Sequence, residues 1–288
     1  MMVWLAAILA GLTMAGLLYL WRSRNPKWQL AKLKRRLERL KQSNGSSGGK
    51  DKLLKAVYDL VSRGIEAKDA QLTYQALDLL KLAYGSGLVR AKEHDHLQSV
   101  MTRAMRDGQA DLAGLVLDVY PVLIKRASDA AVTEVLDQLL AFLPLCVKNK
   151  QHLLTAKVID NIFLALDCLE ANNFAANTLW IRSLKAVGLL AIKKRDQALF
   201  REINQRLYNN NAFAAHQEEG VVPALLAWLQ GIVKKDDQEL YQVWQESLLH
   251  LYNGRVISAH GLRKLWRECQ KAAGTASLNP YSQMAAKI

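Results

Sequence analysis

The chain has 288 residues, with 39 Lys/Arg against 26 Asp/Glu and a formal net charge of +13, which would suit a nucleic-acid binder if the charge were spread over the fold. It is not spread: residues 22 to 41 hold nine Lys/Arg against the single acid Glu38, whereas from Asp51 onward 29 Lys/Arg face 25 Asp/Glu. Three cysteines, Cys146, Cys168 and Cys269, are widely spaced, which argues against a disulfide framework or a C-x-x-C zinc knuckle and fits a reducing compartment.

Met2 to Trp21 contains no charged residue. Twenty helical residues rise about 30 Å, the thickness of the bilayer's hydrocarbon core, so residues 1–21 are expected to be a transmembrane anchor. A cleaved signal peptide would need a basic start, a shorter apolar run and a small-x-small end, and this run ends in Tyr19, Leu20 and Trp21. All the nearby cations follow the run, which places the C-terminal side in the cytoplasm, with Tyr19, Trp21 and Trp28 at the interface. Ala7, Gly11 and Ala15 recur every four residues and align small side chains on one face, a pattern that would let two anchors pack as a homo-oligomer.

Asn25-Pro26 interrupts the helix and starts another. Residues 22–41 are expected to form a basic amphipathic juxtamembrane helix. Leu30, Leu33, Leu37 and Leu40 make one stripe, and Arg22, Arg24, Lys27, Lys32, Lys34, Arg35, Arg36, Arg39 and Lys41 surround it. Leucines dipping into the headgroup boundary with cations on anionic lipid is the favoured use of that pattern; a coiled coil under two heptads long is too short to stand unaided. Residues 42–50 have the Gly/Ser composition of a flexible linker.

From residue 51 to 273 the pattern becomes a run of about eleven amphipathic helices. Apolar faces recur at Leu53, Leu54 and Val57; at Leu72, Ala76 and Leu79; at Leu97 and Met101; and at Leu112 and Val116, after which Pro121 should kink or end the helix. The next face, Val132 to Leu140, is expected to end before Pro144. Later faces follow at Ile159 and Phe163, at Leu179 and Trp180, and at Phe200 and Ile203. After these, Pro223 is expected in the first turn of a helix carrying Leu225 and Trp228; Leu240 and Trp244, then Leu262 and Trp266, close the series. No stretch alternates with period two, so the fold is expected to be all-α. Alternate helix starts near 51, 89, 128, 173, 216 and 257 give a period of about 40 residues, the spacing of helical-hairpin repeats. The expected architecture is an α-solenoid, similar in build to tetratricopeptide and HEAT arrays although no tetratricopeptide signature is present, with a compact helical bundle as the alternative. Residues 274–288 show no pattern and are expected to be a loose tail.

Few residues suggest chemistry. In Glu93-His94-Asp95-His96 the two histidines point about 200° apart on a helix and cannot share one ion. Asp236-Asp237-x-Glu239 resembles a magnesium-binding pair but has no second acidic motif to complete it, so helix capping is expected, as for Glu218-Glu219. Phosphate-loop, dinucleotide, H-E-x-x-H and G-x-S-x-G motifs are absent. The cysteines are expected to be buried thiols, and Trp228, Trp244 and Trp266 core residues. No catalytic, cofactor or metal residue is assigned. The chain is therefore expected to be a non-enzymatic, single-pass membrane scaffold or adaptor whose cytoplasmic helical repeats bind a protein partner or self-assemble, beside anionic lipid. The alternatives are a membrane-tethered nucleic-acid binder, which the near-neutral domain argues against, and an all-α enzyme with a pocket between helices.

Overall fold

The computed structural model describes residues 25–42, 47–86, 94–169, 174–209 and 218–275. Among them are thirteen α-helices and no strand, so the fold is all-α. We number them α1 (Pro26–Gln42), α2 (Ser47–Glu66), α3 (Ala70–Gly85), α4 (His94–Arg106), α5 (Ala110–Leu117), α6 (Tyr120–Ile124), α7 (Asp129–Lys148), α8 (His152–Cys168), α9 (Phe174–Lys194), α10 (Gln197–Asn209), α11 (Glu218–Lys235), α12 (Gln238–Asn253) and α13 (Ala259–Thr275).

One turn recurs along the chain. Lys68, Gly108, Lys150, Arg195 and Asp236 all have positive φ, between 49° and 73°, and lie 40 to 45 residues apart. Each ends one helix and is followed immediately by the cap of the next, joining α2 to α3, α4 to α5, α7 to α8, α9 to α10 and α11 to α12. A left-handed residue after a helix lets the following N–H turn back onto carbonyls of the last turn. The cap N–H of Asp69, Gln109, Gln151 and Asp196 donates to the carbonyl five residues earlier, at 2.8, 2.8, 3.0 and 2.9 Å. The capping carboxylates of Asp69, Asp196 and Asp237 then accept from the N–H of Leu72, Leu199 and Leu240 at 2.9, 3.0 and 3.1 Å. A leucine thus stands three residues beyond every cap: Leu72, Leu112, Leu154, Leu199 and Leu240.

The chain divides into two compact units, residues 1–131 with 141–164, and residues 132–140 with 165–288. In the first, α2 packs on α3 and α4, α4 on α5, and α3 on α5 and α6; α1 lies against α2 and α3. Gly64 makes the α2–α3 approach possible, since a Cβ there would stand 3.0 Å from the backbone N of Thr73. In the second unit, α9 packs on α10 and α11, α10 on α12, and α11 on α12 and α13. Packing on the next helix and the next but one is what stacked hairpins require. Polar bonds keep the same register. Arg103 to Glu66 (2.8 Å) and Lys157 to Asp118 (2.8 Å) lie in the first unit, and Arg182 to Asp137 (3.1 Å) and Arg206 to Asp167 (2.5 Å) in the second, all spanning 37 to 45 residues. Exposed pairs of this kind contribute little stability and serve to set alignment.

In the second unit large aromatics join an aliphatic core. Trp180, Trp228 and Trp244 are buried, and Trp228 and Trp244 donate their indole N–H to the carbonyls of Lys185 (3.1 Å) and Leu225 (2.9 Å).

Five expectations are corrected. The helix holding Val132 to Leu140 runs through Pro144 to Lys148. Burial of Phe142, Leu143 and Cys146 around the proline offsets the roughly 3 kcal/mol that an interior proline costs. Pro223 is not in a first turn but inside α11, flanked by buried Val222 and Ala224. Helix α2 begins at Ser47, so the end of the expected linker is helical, and α13 extends to Thr275. Half of the leucine stripe of α1 faces the fold rather than lipid: Leu33 and Leu37 are buried against α2 and α3, while Leu30 and Leu40 are half-buried.

Candidate functional site

Helix α1 begins with Asn25, whose side chain accepts from the N–H of Lys27 at 3.0 Å, and with Pro26 in the first position. Burial of Leu33 and Leu37, together with a bond from Arg63 to Gln29 at 3.4 Å, holds α1 on the first hairpin. The consequence is electrostatic. Lys27, Lys32, Lys34, Arg35, Arg36, Arg39 and Lys41 are all exposed, with Glu38 the one acid of the helix. Lys32 also lies over the ring of Trp28, 5.2 Å from its centroid. Arg22, Arg24 and the small-residue row Ala7, Gly11 and Ala15 lie outside the described residues, as does the apolar segment containing them.

Between α1 and α3 runs a groove of about 270 Å³ lined by Leu30, Ala31, Lys34, Tyr74, Gln75, Asp78, Leu79 and Leu82. Tyr74 and Leu82 are 54% and 42% exposed, and both line this groove. The sequence carried the signal: Leu72, Ala76, Leu79, Leu80 and Ala83 already complete the inward stripe of α3, so Tyr74 and Leu82 fall outside it.

A second cleft, about 450 Å³, opens between α2 and α4 and is lined by Asp51, Lys55, Tyr58, Asp59, Ser62, His96 and Ser99 among others. The ring of His96 packs on Tyr58, with centroids 5.0 Å apart, and the Tyr58 hydroxyl is bonded to that of Tyr84. Glu93, the first residue of the Glu93–His96 cluster, lies outside the described residues. Among the described residues no three of His, Cys, Asp and Glu gather closely enough to hold a metal. Asp237 caps α12, Asp236 is the left-handed turn residue before it, and Glu239 is bonded to Gln197. Glu218 accepts from the backbone N–H and hydroxyl of Ser258, at 3.1 and 2.6 Å, and so fastens the start of α13.

Cys146 and Cys269 are buried and Cys168 half-buried, with no disulfide. Burial pushes the Cys146 thiol up to about 12. It also raises that of Cys269, against the opposing pull of bonds to Tyr241 (2.6 Å) and Gln245 (3.5 Å). Both thiols stay protonated and poorly nucleophilic. Trp228, Trp244 and Trp266 are core residues.

By length and composition α7 is apolar enough to cross a membrane, with a mean hydropathy of 1.6, but 56% of that window is buried within the protein, as in a core helix. No protein-family model and no curated protein matches the chain. Among solved structures it is similar to a circular tandem repeat protein with novel repeat topology and enhanced subunit contact surfaces, at 14% identity and a TM-score of 0.45, over 85% of this chain and 68% of that one. A score that low leaves the repeat to be judged on the recurrent turns of this chain itself.

Proposed function

We propose that the protein is a non-catalytic, membrane-anchored scaffold whose helical hairpins present a binding surface at the cytoplasmic face of a bilayer. The observation that supports this most directly is α1. Leu33 and Leu37 fix it to the first hairpin, so its seven exposed cations move with that hairpin. They follow within a few residues of an uncharged stretch long enough to span a membrane. A rigid basic helix beside an apolar anchor holds the hairpin array close to anionic lipid, at about 1 kcal/mol per basic residue near the surface. Arg22, Arg24 and the α1 cations are the lipid-facing groups, and Ala7, Gly11 and Ala15 would let two anchors pair. The stacked hairpins supply extended area for a protein partner without needing a catalytic cleft.

Membrane fractionation of cells expressing the full chain tests the reading. The chain should resist carbonate extraction, a tag at residue 288 should be digested only from the cytoplasmic side, and removal of residues 2–21 should release it. Quantitative recovery of the full chain in the soluble fraction would refute anchoring.

A further inference from the structure

The groove between α1 and α3 combines two features that the packing of the fold does not require. One is apolar: Leu30, half-buried on α1, faces Tyr74 and Leu82 across a groove of about 270 Å³ in which Lys34 and Asp78 are the lining charges. The other is a row of cations. Lys27, Lys34 and Lys41 are seven residues apart, close to two helical turns, so they stand in one line along the side of α1 that lines the groove. Exposed aromatic and leucine side chains beside a file of lysines form the pattern of a surface that sits in the plane of a membrane interface.

We propose that this α1–α3 face lies against an anionic phospholipid bilayer, with Leu30, Tyr74 and Leu82 at the headgroup–acyl boundary and the Lys27–Lys34–Lys41 row on the lipid phosphates. The inference rests on the anchored reading above and extends it from a charged helix to a seated face of the first hairpin. Two observations select a bilayer as the occupant. Three of the seven α1 cations, Lys27, Lys34 and Lys41, run along the side of the helix that carries the groove, where they complement anionic headgroups. The chain from Trp21 to Pro26 spans at most about 18 Å, so a membrane holding residues 2–21 lies within reach of α1 by construction of the sequence. Leucines 33 and 37 are unavailable for this role because they are buried; the lipid-facing apolar set is instead split between two helices.

The test uses the full chain carrying Cys168→Ser, which leaves Cys146 and Cys269 buried and unreactive, with a spin label on Leu82→Cys. It is reconstituted in phosphatidylcholine vesicles with or without phosphatidylglycerol, and flotation is checked first. With phosphatidylglycerol present, the label should collide freely with oxygen and poorly with a water-soluble nickel chelate. A label on Leu153→Cys, 76% exposed on α8, should remain open to the chelate. Replacing Lys27, Lys34 and Lys41 by glutamine should return the Leu82 label to the chelate. A floating chain whose Leu82 label stays open to the chelate overturns the seated face, while a chain that does not float overturns the anchored reading itself. Immersion that is equal without phosphatidylglycerol overturns the lysine row's part, and shielding from both collision partners shows that protein, not lipid, covers the groove.

Discussion

Glycine to alanine in the middle of a helix normally stabilises by up to about 1 kcal/mol, and at Gly188 the structure reverses that sign. A Cβ added there would stand 2.5 Å from Cε2 and 2.7 Å from Cζ2 of Trp228, whereas carbon atoms settle at about 3.5–4.0 Å. The indole would have to retreat by about 1 Å. It has nowhere to go: it is fully buried, its N–H is bonded to the Lys185 carbonyl, and Phe200 meets it edge-on at 5.4 Å and 77°. Overpacking costs about 1–3 kcal/mol and loss of the indole bond about 1 more, so after the helical gain Gly188→Ala should destabilise by about 1–3 kcal/mol, lowering the melting temperature by roughly 3–10 °C. Gly114→Ala is the control, because its Cβ meets Leu154 at an ordinary 3.6 Å, and it should be neutral or stabilising. Scanning calorimetry of both variants, and of Gly188→Ala in a Trp228→Phe background, measures the coupling. If Gly188→Ala behaves like Gly114→Ala, or costs as much with phenylalanine at 228 as with tryptophan, the α9–α11 contact described here is wrong.

The Tyr120 hydroxyl is fully buried and has no hydrogen-bond partner among the described residues. Tyr120→Phe should therefore stabilise by about 1 kcal/mol, and a loss of that size in chemical denaturation would show that the hydroxyl is bonded. Leu37→Ala removes the centre of the α1 contact and should cost about 2–5 kcal/mol locally. Amide exchange in α1 should then quicken by a factor of about 30 or more while α9–α13 are unchanged; uniform acceleration would contradict a locally docked helix. In the native protein Cys168 should react with a thiol reagent well before Cys146 and Cys269. The buried thiols and Tyr120 hold their protons more tightly folded than unfolded. The unfolded chain therefore loses protons first, and stability, complete below the ordinary thiol value of 9.0, should fall as pH rises above it. The slope approaches about 1.4 kcal/mol per pH unit for Cys146, and stability that rose from pH 9 to 11 would contradict this.

The all-α class and most inward faces were legible because leucine spacing at three and four residues has one structural solution. The helix ends were less legible. Pro144 and Pro223 look like boundaries in isolation, yet burial on either side carries the helix through both. The repeat was visible as a period of about 40 but not by its marker. Lysine, arginine and aspartate occupy four of the five recurrent turn positions where glycine is usual, and Arg255 is a further left-handed residue outside the series, which hid a common pattern of turn residue, Asp or Gln cap, and leucine three positions later. The cations of α1 from Lys27 to Lys41 are exposed, as their spacing around the leucines implies. No sequence rule says which neighbour covers a leucine stripe, so the burial of Leu33 and Leu37 against the first hairpin rather than lipid is visible only in the structure.

The five recurrent turns also bear on how the chain comes into being. Each hairpin closes over fewer than fifty residues, and its ion pairs to the neighbouring hairpin span 37 to 45. Hardly any of the packing of the first hairpin waits on the C-terminus. During synthesis α1, α2 and α3 can dock as soon as they leave the ribosome, and each later hairpin finds a finished edge to add to. A chain built this way acquires the basic face of α1 and its first repeat while the remainder is still being translated, so its N-terminal hairpin is the oldest folded part of the molecule.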